Sequence, residues 1–175
     1  MNDQLSPVGV CHAGYDRAEL RAIWSMLEGS GFTPTDKGRL EFRSAGLEIV
    51  RLMLDLGKDI GHDVLDVGVT LLVLKLGKFL KELRDQMRRR HAVEVDLPTA
   101  PGVGRGQVHY VLPEADEWEA ALAAMPADLA TAAEGRVGER WWQDRHWRTL
   151  EEMYPQMTRG TGASPTGTVT EGAKP

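Results

Sequence analysis

Residues 63–90 read DVLDVGVTLLVLKLGKFLKELRDQMRRR, and the spacing of their apolar residues decides how the rest of the chain is arranged. Leu65, Val69, Leu72, Leu76, Phe79 and Leu83 recur in steps of four and three, the period of one helix face. A second apolar stripe, Val64, Val67, Leu71 and Leu74, stops near Lys78. Asp66, Thr70, Lys81, Arg84 and Arg88 form a polar stripe opposite. A continuous helix over 63–90 would run about 42 Å at ~1.5 Å per residue. Its first half is apolar on two sides and its second half on one. If the helix only covers its own sheet, one stripe is buried and the other partly exposed. If it also makes an oligomer or partner contact, both stripes are covered in the assembly. Asp66, Lys75 and Lys78 break the uncharged run of about 20 residues that a membrane span needs. The β-branched residues and Gly68 in Val67–Leu74 leave a buried strand as the alternative.

Outward from that stretch, the residues on its N-terminal side carry several signals. Pro7–Ala13 reads as a buried strand and Gly14 ends it. Asp16 with Glu19 three residues later makes a capping box. The helix that follows has Leu20, Ile23, Trp24 and Leu27 on one face. Phe32–Gly38 reads as a turn and Arg39–Arg43 as a strand. Leu47, Val50, Leu54 and Ile49, Met53, Leu56 suggest a helix over Ala45–Ile60, so residues 45–90 are expected as a helical hairpin or one kinked helix, with Asp63 as a cap.

On the C-terminal side, Ala92–Leu97 and Gln107–Leu112 alternate and suggest an antiparallel hairpin across the loop Pro98–Gly106. A helix opens at Glu114, carries Trp118, Leu122 and Met125 inward, and is expected to break at Pro126. Residues 138–150 suggest a tryptophan-rich hairpin. The expected class is α+β: a small, mainly antiparallel sheet with helices on one face. A single domain would span 5–157, and 158–175, poor in apolar residues, would be a disordered tail.

The bulk properties narrow the function. Among 175 residues the formal net charge is −5, which argues against a nucleic-acid binder but leaves room for a local basic patch. Lys75–Arg90 is such a patch, with seven basic and two acidic residues. It suits an anionic membrane surface or nucleic acid, or else pairing with the acidic run Glu114–Glu119. One cysteine excludes an intramolecular disulfide, and the first residues show no secretory pattern, so a reducing cytoplasm is the expected compartment. The five histidines show no HxxxH or CxxC spacing, and no nucleotide-binding glycine motif is present, so no metal and no cofactor is expected. Gly102–Gly106 lies between two expected strands and reads as a hairpin loop, because phosphate cradling needs helix N-terminal amides.

Three local likenesses add to this. VGVCHAGYDRAELRAIWSMLEGSGF, residues 8–32, resembles the opening of TIR domains. It implies an NAD hydrolase with Cys11, His12 and Asp16 in the candidate loop. Adjacent strand residues such as Cys11 and His12 point to opposite faces, however. Arg140, Trp142 and Trp147 resemble a short actinobacterial tryptophan hairpin, although stacking alone also accounts for the aromatics. The layout of residues 5–97 resembles effector-associated accessory domains of bacterial conflict systems. It implies a non-enzymatic adaptor, possible partners being an effector encoded nearby or a second copy of the chain. The candidate interaction residues are Leu71, Leu74, Lys78, Lys81, Arg84, Arg88, Trp142 and Trp147. Deleting residues 159–175 is expected to leave the melting temperature within about 2 °C, as calorimetry would show.

Overall fold

The computed structural model describes residues 5–40, 48–54, 62–87, 91–98, 107–133 and 138–155, with backbone alone at 62–67, 98 and 133. Within them the chain runs β1 (Ser6–Ala13), α1 (Arg17–Gly29), β2 (Phe32–Arg39), β3 (Glu48–Leu54), α2 (His62–Gln86), β4 (His91–Pro98), β5 (Gln107–Val111), α3 (Trp118–Ala133), β6 (Glu139–Gln143), β7 (His146–Arg148) and α4 (Leu150–Met153). The seven strands form one sheet in the order β2-β1-β3-β4-β5-β6-β7. The class is α+β. The six pairings divide equally between parallel and antiparallel, so the sheet is mixed rather than mainly antiparallel.

The pairings follow a simple rule. Each of α1, α2 and α3 joins two neighbouring parallel strands: β1 to β2, β3 to β4 and β5 to β6. A parallel pair needs such a crossover, because a tight turn cannot return the chain to the same end. The register puts Val8 opposite Leu54, Val10 opposite Leu52, Leu52 opposite Val95 and Val95 opposite Tyr110. Directly opposed residues share a face. These side chains join α1, α2 and α3 residues in one core cluster, so the three helices cover the same face. With the helices on one face, the strand directions give the third crossover the opposite hand to the first two, against the usual uniformity of such connections.

α2 is the middle helix and touches both α1 and α3. Val69, Leu72, Leu76, Phe79 and Leu83 are buried as the spacing predicts, and Leu80 joins them. Leu71 and Leu74, on the second stripe, are 53% and 65% exposed. Asp16 caps α1 as expected: its carboxylate accepts from the Ala18 and Glu19 amides, and Glu19 closes the box on the Asp16 amide.

Three further expectations from the sequence are corrected. Glu48–Leu54 is a strand at the middle of the sheet and not part of a helix. Val50, Leu52 and Leu54 are buried on the helix-covered face and Ile49 on the other. A strand apolar on both sides loses its alternation and can mimic a helical stripe. Ala45–Leu47 and Asp55–Ile60 lie outside the described residues, as does Glu41–Arg43 of the expected second strand. Phe32–Gly38 is a strand and not a turn. β2 lies at the sheet edge, where Pro34 can be accommodated without interrupting a central ladder. Gly38 takes φ +107° beside a bulge, where the register slips between Val10 and Cys11. Finally, α3 runs through Pro126 without ending. Trp118, Ala121, Leu122, Met125, Leu129 and Ala132 form a continuous buried face across it. That burial offsets a proline penalty of about 3 kcal/mol.

The two stripes of α2 therefore differ in what they hold. Leu76→Ala is expected to cost about 2–5 kcal/mol in urea unfolding, as the truncation of a fully buried side chain. Leu74→Asp should change stability by less than about 0.5 kcal/mol, as an exposed substitution.

Candidate functional site

The outward face of α2 and the start of α3 enclose a groove of about 760 Å³. Its apolar lining comes from Val73, Leu74, Gly77 and Leu80 of α2, with Ala115, Trp118, Leu122 and Ala123 opposite. The periodicity of α2 explains the placement. Residues 69, 72, 76, 79 and 83 point at the sheet, so 73, 74, 77, 80, 81 and 84 turn toward the neighbouring helix and solvent. Trp118 is fixed at the start of α3 by its indole N–H, which donates to the Pro113 carbonyl at 2.8 Å. At Gly77, a Cβ would stand 3.6 Å from Leu122 Cδ1, so the two helices meet closely there.

The groove walls carry opposite charge. Lys78, Lys81 and Arg84 stand on the α2 side, Asp116 and Glu119 on the α3 side. The basic and acidic runs thus face each other, yet among the described residues Lys81, Asp116 and Glu119 form no ion pair. The Lys78 ammonium donates to the Gly29 carbonyl at the end of α1. Arg84 Nε lies 3.5 Å from Asp85 Oδ1, both exposed.

Four of the expected interaction residues, Leu74, Lys78, Lys81 and Arg84, meet at this groove, and Leu71 lies one turn away on α2. The tryptophans are used otherwise. Trp147 is only 8% exposed. Its indole N–H donates to the Ala121 carbonyl at 3.0 Å, and its ring meets Tyr110 edge-on at 4.9 Å between centroids. Trp142 is half-buried, packs edge-on against Trp147 at 5.2 Å and donates to the Glu117 carboxylate. They tie the hairpin to α3, and Trp147 leaves the set of accessible residues. Asp144 and Arg145, both at positive φ, form the two-residue turn of that hairpin. Arg88 lies outside the described residues.

Cys11, His12 and Asp16 are not brought together. Cys11 faces the helix-free side of the sheet, directly across from Arg51. His12 points to the helix side, with Trp24 edge-on at 6.3 Å. Asp16 is occupied as the helix cap. Tyr15, in the same loop, stacks on His91, and its hydroxyl bonds His91 Nδ1 at 2.9 Å. Burial first, then Glu48 and Glu19, raise the Tyr15 phenol above its ordinary range.

A second polar centre lies on the helix-free face. Asp96 is 1% exposed and takes a two-pronged contact from Arg51, at 2.7 and 3.1 Å. His109 Nδ1–H donates to the same carboxylate at 2.6 Å. His109 Nε2 stands 3.5 Å from Glu94 and 3.9 Å from Glu139. The Asp–His half of a nucleophilic triad is present, but two carboxylates occupy the position of a nucleophile. Among the described residues no group of three side chains is placed to hold a metal ion. The arrangement joins β3, β4, β5 and β6 electrostatically. Sequence reasoning missed it, although alternation in the expected hairpin puts Glu94, Asp96 and His109 together on the face away from Val93, Val95 and Leu97.

Comparison with known proteins gives no match among family models, curated proteins or solved structures. Among the described residues no helix is long and apolar enough to cross a membrane.

Burial pushes the Asp96 carboxyl up, but hydrogen bonds from His109 and Arg51 outweigh it and hold the group below its ordinary range. In the folded state it stays ionised where the unfolded chain takes up a proton. Its contribution is therefore present at neutral pH and lost as pH falls through the folded value. Asp96→Asn should cost roughly 1.5–3 kcal/mol at pH 7. It should also flatten the fall in stability below about pH 4, as chemical denaturation at stepped pH would show.

Proposed function

We propose that this chain is a protein-interaction module, an accessory or adaptor domain that engages a protein partner through the outward face of α2 and the groove beside it. The observation that carries the reading is exposed Leu74 in the lining of an apolar groove, with Leu71 also exposed one turn away on the same helix stripe. Scattered exposed leucines are ordinary, but two on one helix stripe beside an apolar concavity mark an interaction surface. The separation of Cys11, His12 and Asp16 supports a role that does not depend on chemistry in that loop. The acidic wall of the groove weighs against a phosphate-rich surface as the ligand, because it would repel the same anions that Lys81 and Arg84 attract. The layout likeness to effector-associated accessory domains agrees with an adaptor role in a bacterial conflict system, and an effector is the partner class it suggests.

The test places a photo-crosslinking phenylalanine derivative at position 71, and as a control at exposed Thr35 on β2. A discrete protein adduct is expected from position 71 alone, and Leu74→Asp in the same chain should abolish it. Equal labelling from both positions, or an adduct indifferent to Leu74→Asp, would contradict the reading.

A further inference from the structure

The chemistry of the groove narrows what can occupy it, taking the interaction surface proposed above as given. Its α2 wall runs from Val73 to Arg84, about 17 Å at ~1.5 Å per residue, or three helical turns. Its floor is apolar along that length. Its rims are opposite in sign, and Lys81, Asp116 and Glu119 have no ion-pair partner among the described residues. The rim residues are placed to be neutralised by something lying between them.

We infer that the occupant is an amphipathic helix of a partner protein, with an apolar stripe toward the floor, acidic residues on the flank facing α2 and basic residues on the flank facing α3. Backbone chemistry separates a helix from the alternatives. An extended segment laid here would bring its own N–H and C=O groups against two helices, which have no open ladder to pair them, and burial without partners is costly. A helix satisfies its backbone internally and presents side chains alone, the helix-in-groove mode of recognition. A lipid headgroup or nucleic-acid backbone would meet Asp116 and Glu119 as like charges. Residues 156–175 of this chain are rich in Gly, Thr, Ser and Pro and lack the three-and-four apolar spacing. The α2 of a second copy brings leucines but a mainly basic surface, Lys75, Lys78, Lys81 and Arg84 against Glu82 and Asp85, a poor match for the basic wall of Lys81 and Arg84. A helix carrying both charges matches both rims.

The experiment uses three labelled peptides of about four helical turns. All share one leucine stripe. One has glutamates on one flank and lysines on the other, one has glutamates on both, and one has lysines on both. A helix can lie in the groove in either direction, so the comparison rests on flank composition and not on which flank is which. Fluorescence anisotropy with the full chain should show the mixed peptide binding roughly tenfold tighter than either uniform peptide at low salt. The advantage should shrink in about 0.5 M salt. Leu74→Asp should weaken all three. Lys81→Glu with Arg84→Glu makes both rims acidic and should transfer the preference to the lysine peptide. Asp116→Lys with Glu119→Lys makes both rims basic and should transfer it to the glutamate peptide.

Binding without regard to flank charge would overturn the inference, as would preferences that fail to follow the rim reversals. So would a wild-type dimer in light scattering that Leu74→Asp converts to monomer, since a second copy would then be the occupant. A position-71 adduct that depends on Leu74, with no peptide binding, would leave the interaction surface standing and remove the helical occupant.

Discussion

The burial of one stripe of α2, Val69, Leu72, Leu76, Phe79 and Leu83, is the contact on which the other helices depend. α2 lies between α1 and α3 on one side of the sheet and touches both. Its inward residues complete the core over the central strands β3 and β4, the pair that it also connects. A long helix has too much surface for one flat contact. Once five residues face the sheet, geometry sends Leu71, Leu74 and Lys81 outward, and the crossing of α3 leaves a concavity beside them. The groove is thus a by-product of how the middle crossover is buried, and its apolar lining is continuous with the core cluster through Leu80, Trp118 and Leu122.

The two faces of the sheet are stabilised by different physics. The helix side is packed with aliphatic and aromatic side chains, with Tyr110 and Arg140 both donating to Asp128 of α3. Tyr110 donates to Asp128 at 2.9 Å and Arg140 Nε at 3.2 Å. The opposite side carries the Arg51, Asp96 and His109 network. A buried pair of this kind is weak evidence for net stability, since desolvation opposes the attraction, but removing one member leaves a buried charge without its partner. The network ties β3 to β4 through Arg51 and Asp96, and β4 to β5 through Asp96 and His109.

Much of this was legible in the residues, and what was not had a physical reason. The capping box at Asp16 and Glu19, the antiparallel pairing of Ala92–Leu97 with Gln107–Leu112, and the tryptophan hairpin within 138–150 are local signals and the structure follows them. The buried stripe of α2 was readable because seven residues per two turns is a long, redundant pattern. β3 was lost because a strand apolar on both faces gives no alternation. β2 was lost because Pro34, Asp36 and Gly38 read as a turn, whereas an edge strand can hold all three. The interruption assigned to Pro126 weighed one residue against a burial face that only the three-dimensional contacts reveal. At the site, Leu74, Lys81 and Arg84 could be chosen from helix geometry. Asp116 and Glu119 could not be set opposite them without knowing where α3 lies.

The account rests on α2 presenting an uncovered apolar face. The most direct measurement is methyl NMR of leucine-labelled protein with a soluble paramagnetic agent, which broadens signals in proportion to their access to solvent. The methyls of Leu71 and Leu74 should broaden strongly, and those of Leu72, Leu76, Leu80 and Leu83 should stay sharp. Protection of Leu71 and Leu74 equal to that of Leu76 would show that the face is already covered in the isolated protein, and would contradict the account.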